Sequence, residues 1–312
     1  MAQQQETVVR ESETKARIAE LKYAFYLTRQ NPLVLSGLVL VIFFVLLSLI
    51  ATLIVNPASA GVLDFTQSYC WSSTLFSWTP LEATCALGTS HFLGTDGYGR
   101  DLLGMIVLSI PLDLSIALVI VAIAAAFGIL LGSVAGWVGG KFDEAILRIT
   151  DIFFAFPGLV LALVFAALFG RTIQTLTIAV LLVWWPVYVR LARGQVLAEK
   201  GKTYVEALRG LGVGSGRIVI FHIIPNTIYP TIVQMSLDVG GVILTFSALM
   251  FLGFSPSPAL PELGNLAADG ISHVFTAPWL IVFPGLTILA IALAFNFVGD
   301  GLRDILDPRL RR

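Results

Sequence analysis

Six stretches of this chain are long, apolar and nearly free of charge, and polar segments separate them. Residues 33–55, 114–140, 152–170, 172–189 and 274–299 hold no charged side chain, and residues 227–254 are interrupted only by Asp238. A helix crosses the roughly 30 Å hydrocarbon core of a bilayer with about 20 apolar residues at 1.5 Å each. The pattern therefore predicts six transmembrane helices with both termini on one side. The runs are continuous rather than alternating at every second position, which excludes a β-barrel. The expected fold class is an all-α membrane protein.

Composition agrees and adds a boundary. The chain is 57% hydrophobic and 12% charged, with a mean hydropathy of +0.88, whereas soluble domains carry roughly 25% charged residues. The apolar runs extend over almost the whole length, so one membrane domain is expected over residues 33–312. The net charge of −1 says little, but its distribution is informative. Of the 19 Lys and Arg, only Arg100 and Arg171 fall in the segments on one side of the predicted membrane. Lys and Arg accumulate in cytoplasmic loops. Both termini and the loop 190–226 are therefore expected in the cytoplasm, and the loop 56–105 outside.

Residues 1–32 lack the apolar centre of a signal peptide and are expected to be a cytoplasmic tail. Ile18, Leu21 and Phe25 are spaced three and four apart, which suits either a helix on the membrane surface or a solvated tail. Cys70 and Cys85 fall in the outer loop, where an oxidising compartment favours a disulfide contributing about 3 kcal/mol; two free thiols are the alternative. His91, His222 and His273 lie far apart, without the spacing of a metal site. No cofactor is expected.

Within the second run, Gly128, Gly132 and Gly136 recur every four residues. Small residues at that interval let two helix backbones approach closely, although glycine is also simply common in membrane helices. Asp113 stands at the outer mouth of this run and Asp238 inside the fifth. An Asp at the centre of a span costs about 2.5–3.5 kcal/mol to insert. Asp113 and Asp238 are the candidate pathway residues, and Asp238 is read as lining a pathway, contacting another subunit, or bonding to a neighbouring helix. Asp151 is read as an interfacial residue near Arg148. Pro157, Pro186, Pro278 and Pro284 are expected to break the helical ladder locally.

The most distinctive polar segment is residues 204–226. Tyr204, Ala207, Leu208 and Leu211 recur at the spacing of one helix face, while Glu206 and Arg209 lie off that stripe and are placed to pair in water. Gly212 supplies a helix stop, and Pro225 marks the start of the fifth span. Eight residues make a marginal helix alone, so the apolar face is expected to rest either in a groove on a partner or on the protein's own inner surface.

The order Glu206-Ala207-Leu208, then Gly212, then nine residues to His222-Ile223-Ile224-Pro225-Asn226, resembles the EAA loop of ABC-importer permeases, with the ending of the dipeptide/oligopeptide subfamily. Further motifs are similar to that subfamily along most of the chain. They are Arg29-Gln30-Asn31-Pro32, the segment from His91 through Leu93-Gly94-Thr95-Asp96 to Gly99-Arg100-Asp101, and Gly139-Gly140 with Asp143, Arg148 and Asp151. Ala155-Phe156-Pro157, Phe251-Leu252-Gly253 with Pro256 and Pro258, and Leu302-Arg303-Asp304 through Asp307-Pro308-Arg309 complete the set. They resemble the C-type of the two permease subunits. The chain departs from the pattern at Gly216, where Trp is usual, at Asp113, where Arg or a small polar residue is common, and at Phe246, where Glu is frequent.

The resemblance implies a type I ABC importer permease fold, MetI-like. It implies a heterodimer with a homologous second permease, two ABC ATPase subunits beneath and a solute-binding protein outside. Residues 204–211 would then be a coupling helix, with Tyr204, Glu206, Ala207, Leu208, Leu211, Gly212 and Pro225 as the ATPase-coupling set. Family substrates include peptides, oligosaccharides and nickel chelates. The chain has no G-x-x-x-x-G-K-[ST] loop, so ATP hydrolysis is expected in the partners, and no nucleic-acid partner is expected. The rival from another class is a self-contained secondary transporter or channel. That rival calls for ion-coupling carboxylates or His within the spans, where Asp238 stands alone.

Overall fold

The computed structural model describes residues 31–54, 92–94, 96, 100–258 and 260–306. The N-terminal tail with Ile18, Leu21 and Phe25, the cysteines Cys70 and Cys85, the motif residues His91, Thr95 and 97–99, and the C-terminal residues 307–312 lie outside the described residues.

The regular elements among the described residues are helices. Helix α1 is Pro32–Ile54, α2 Leu102–Val138, α3 Gly140–Phe154, α4 Gly158–Phe169 and α5 Ile173–Lys200. Helix α6 is Thr203–Gly210, α7 Ile224–Leu249, α8 Leu263–Asp269 and α9 Trp279–Leu306. A helical turn at Ser215–Ile218 and a π-helical turn at Val219–Ile223 lead into α7, and a second π-helical turn, Met250–Phe254, leaves it. Five of these units are long and apolar enough to cross a membrane, and the pair α3 and α4 makes a sixth crossing if counted as one bent span.

That third span is the largest departure from the expected pattern. The sequence suggests one helix over residues 152–170, but α3 and α4 meet at 85°. Helix α3 ends with Ala155 as its C-cap, two residues before Pro157, and Pro157 itself takes a non-helical ψ of 126° as the N-cap of α4. Helix α4 has only 12 residues, about 18 Å, too short to cross alone. The other prolines behave differently. Pro186 and Pro284 lie inside unbroken helices, as do Pro111 and Pro230. Neighbouring helices and local adjustments tolerate the lost bond there. Pro278 lies just before α9, so the sixth span starts at Trp279 rather than at residue 274.

Two spans are longer than their apolar runs. Helix α2 has 37 residues, about 55 Å. It begins at the Asp101 cap, whose carboxylate accepts from the Gly104 amide at 2.6 Å. Helix α5 continues from its Thr172 cap through Arg190 and Arg193 to Lys200. Beyond Asp113, where the predicted run stops, the added part of α2 (residues 102–112) is itself apolar, whereas the added part of α5 carries Arg190, Arg193, Glu199 and Lys200.

Helices α2 and α5 form the centre. Gly128, Gly132 and Gly136 face α5: a Cβ would overlap the Tyr188 Cβ at Gly128 and the Val189 carbonyl at Gly132, and would lie 3.0 Å from the Arg193 carbonyl at Gly136. Helices α7 and α9 pack on this pair, with Gly240 against the Ala292 backbone. Helix α1 lies outermost along α9, where Gly37 meets Phe297 and Gly301 meets Val34. Its exposed Leu, Val, Ile and Phe side chains suit contact with lipid tails. Helix α8, a buried two-turn element absent from the sequence expectation, wedges between the end of α7 and α9, with Gly264 pressed on the Ser247 backbone.

Candidate functional site

At one end of the bundle, α6 stands out from the other helices. Its first turn is anchored by Val205, which is fully buried with Val196, Ile218 and Ile223, while Trp137, Tyr204, Leu208 and Val213 pack around them. The Tyr204 hydroxyl donates to Glu199 Oε1 at 2.8 Å, and Lys202 Nζ lies 2.6 Å from Glu199 Oε2. That carboxylate holds the Lys202 ammonium pKa above its ordinary value, the hydrogen bond being the main cause.

The helix ends in a Schellman motif. The Val213 amide donates to the Leu208 carbonyl at 3.1 Å and the Gly212 amide to the Arg209 carbonyl at 2.9 Å, with Gly212 at φ +77°. A left-handed residue at that position favours glycine, which has no Cβ to clash. Val213 and Leu208, the positions that accompany this motif with an apolar contact, both lie against the anchoring cluster.

The apolar stripe read from the sequence is split. Tyr204 and Leu208 turn inward with Val205, whereas Ala207 is exposed and Leu211 is 79% exposed. At 100° per residue, the face buried in this chain is rotated by about 60° from the apolar stripe, because Val205 adds more apolar surface than Ala207. Glu206 and Arg209 are not paired as expected. Arg209 lies over the Trp137 ring, 4.4 Å from its centre. An indole face is a favourable seat for a guanidinium.

Paired charges surround α6. Arg193 makes a bidentate contact with Asp143 at 2.6 and 2.7 Å, tying α5 to the first turn of α3. Arg190 bonds to Asp151 and to Thr150 Oγ1 and stacks on Phe154 at 4.3 Å. Asp151 therefore pairs with Arg190 on α5, while Arg148 pairs with Glu144 on its own helix at 3.3 Å. Asp151, Arg190, Arg193 and Leu147 line a cleft of about 350 Å³. Lys200 Nζ bonds to the Trp137 carbonyl and approaches that of Gly136 at 3.5 Å, placing a cation at the C-terminus of α2 where the helix dipole favours it. Pro225 is exposed in the first turn of α7, where a missing N–H costs least.

The opposite end is built from buried acids. Asp113 is 3% exposed and its Oδ2 accepts from the Leu263 amide at 3.2 Å. Glu262 is fully buried, caps α8 through the Asn265 amide at 2.7 Å and accepts from Ser247 Oγ at 2.8 Å. Burial pushes the Glu262 carboxyl above its ordinary range. Arg100 bonds to Asp96 through Nε at 2.5 Å and reaches Asp269 of α8 at 3.6 Å. Burial raises the Asp269 carboxyl, and Arg100 opposes that shift. The Asp96–Arg100–Asp101 motif thus starts α2 and reaches across to α8. Asp238 sits apart from both ends: Gln234, one turn before it, donates to Oδ1 at 2.9 Å, and Tyr188 and Trp184 of α5 flank its carboxylate.

Sequence reasoning did not single out Val205, Trp137 or Glu262. Trp137 stands just before the Gly139-Gly140 helix break, and Glu262 stands between Pro261 and a short apolar run; both are weak signals that three-dimensional neighbours make meaningful.

Comparison with known proteins agrees with this architecture. Residues 128–312 match the family described as binding-protein-dependent transport system inner membrane component. The dipeptide transport system permease protein DppC of Alkalihalophilus pseudofirmus is 34% identical over 294 residues, covering 94% of this chain and 91% of that protein. The Haemophilus influenzae DppC is 39% identical over 72% of this chain and 76% of its own length. The Haemophilus influenzae oligopeptide permease OppC is 36% identical over 75% of each. In fold, the chain is similar to an inward-facing structure of the MetNI methionine ABC transporter, with a TM-score of 0.50 and 17% identity over 66% of this chain and 98% of that one. This chain belongs to the binding-protein-dependent transport system inner membrane components, the membrane-spanning permeases of ABC importers.

Proposed function

We propose that this permease carries peptides inward as the C-type half of a heterodimer. A homologous permease completes the pathway, two ATPases bind beneath it and a solute-binding protein delivers substrate from outside. Both termini and α6 face the cytoplasm, in keeping with the concentration of Lys and Arg at that end. Peptide specificity rests on the relatives, whose names describe dipeptide and oligopeptide transport.

The observation that carries the mechanism is the two-sided surface of α6. Val205 holds the helix to the bundle, while Ala207 and Leu211 are exposed. An apolar helix edge outside the membrane suits a groove on a soluble partner. Closure of the ATPases on ATP would then displace α6 and the helices behind it as a body. ATP hydrolysis is assigned to the partner subunits.

The test is direct. Ala207→Cys in the assembled transporter is expected to cross-link to an ATPase subunit, with the yield changing on ATP binding. Reconstituted vesicles holding all subunits should take up labelled di- and oligopeptides on ATP. No cross-link from Ala207 or Leu211 under any nucleotide condition would remove the coupling assignment. Uptake of an oligosaccharide or nickel chelate in place of peptides would reassign the substrate.

A further inference from the structure

Behind α6 lies a contact that the exposed surface does not account for. Trp137 occupies the last turn of α2, partly buried against Val196, Val205, Ile218 and Ile223. Its ring carries Arg209 of α6 at 4.4 Å and Lys200 of α5 at 5.6 Å. Its carbonyl takes the Lys200 ammonium. One residue therefore meets the candidate coupling helix through its ring and the end of α5 through both its ring and its backbone.

What lies above Trp137 is closely packed on α5. One residue earlier is Gly136, where a Cβ would lie 3.0 Å from the Arg193 carbonyl, then Gly132 and Gly128, where it would overlap α5. After Val138 the ladder stops: Gly139 and Gly140 take φ of +72° and +61° with open space around them. Helix α3 is nonetheless held, because Asp143 clamps Arg193 of α5. The ends of α2, α3 and α5 thus form one pad, and Trp137 is its point of contact with Arg209. Packed elements of this kind shift between discrete arrangements rather than bending smoothly.

We infer that Trp137 is a positioning residue that carries displacement of α6 to the end of α2, by way of the Arg209–Trp137 stack, beside the direct contacts of Val205 and Tyr204 with α5. The inference rests on α6 being the ATPase-facing helix, and it assigns the step after that contact. A chain of neighbours is not by itself evidence of coupling, so the test measures coupling.

In vesicles with the complete transporter, the readout is substrate taken up per ATP hydrolysed. Trp137→Leu and Arg209→Gln are each expected to lower that ratio by about tenfold, within the range that coupling residues reach. The double variant should be no worse than the more affected single one, and Trp137→Phe should restore most of the ratio. Arg209 is exposed, so its variant probes the stack without a folding defect. A wild-type ratio in Arg209→Gln and Trp137→Leu, or losses that add independently in the double variant, would overturn the inference. The Ala207→Cys cross-link separates the two readings. A cross-link with unchanged coupling in the Trp137 and Arg209 variants rejects this inference alone, and a missing cross-link rejects the placement of α6 on which it depends.

Discussion

The two ends of the bundle handle charge in opposite ways. At the α6 end, Lys and Arg meet carboxylates in partly exposed pairs, such as Arg193–Asp143 and Lys202–Glu199, and apolar side chains such as Leu211 are left uncovered. At the α8 end, Asp113 and Glu262 are withdrawn from solvent, and Gly264 leaves no gap against α7. An exposed partner such as Lys202, 57% exposed in its pair, can exchange that contact for water at little cost, while buried acids with fixed donors are costly to disturb. One end is suited to being moved by a partner, and the other to holding its packing while that happens.

The sharpest way to break this contrast is at Gly212. Its φ of +77° makes any side chain strained, at about 1–3 kcal/mol. Gly212→Trp is expected to insert normally yet abolish ATP-dependent uptake, measured in vesicles with all partners present. Normal uptake would mean that the shape of α6 does not matter. Next is a pair of glycine substitutions. Gly264→Ala should cost about 3 kcal/mol, at the upper end for overpacking, because its Cβ meets the Ser247 backbone. Gly214→Ala, with open space around it, should change thermal stability in detergent by less than about 0.5 kcal/mol. Equal effects would erase the distinction between the ends.

Glu262→Ala strands the Ser247 hydroxyl and the Asn265 amide and should cost about 2 kcal/mol. The same residue predicts a pH dependence. Its carboxyl is raised by burial in the folded state, so the folded protein binds the more protons. Its contribution therefore falls as pH rises from the ordinary glutamate value of 4.5 toward the raised one. Glu262→Gln, which keeps a carbonyl acceptor, should flatten the melting temperature across that interval; an unchanged slope would assign it to other groups. The smallest effect belongs to the most exposed pair. Arg148→Ala, which removes the Arg148–Glu144 contact, should alter stability by less than about 0.5 kcal/mol.

The parts of this protein that sequence made legible are those governed by local rules. Apolar run length marks the spans because lipid offers no partner for exposed backbone, and Pro157 marks the third one as breakable. The Gly212 interval identifies the loop because a helix stop of that kind depends on one residue's dihedral freedom. The interval of four among Gly128, Gly132 and Gly136 defines a face, but not the helix that lies on it. The side of α6 that rests on this chain is not legible in sequence, because Val205 counts as an isolated apolar residue until Val196, Ile218 and Ile223 come together around it.

Sequence by itself therefore determined the membrane class, the approximate spans, the family resemblance and the position of the polar loop. Each of these depends on hydrophobicity or backbone geometry within a few residues. The tertiary structure alone decided that the third span bends by 85°, that α5 receives the glycine seam, that Glu262 and Asp113 end up inside the protein, and that Arg209 leaves Glu206 for Trp137. Those outcomes depend on which distant side chains share a neighbourhood. In a bundle packed this closely, the partner that removes a side chain from solvent decides what that side chain does.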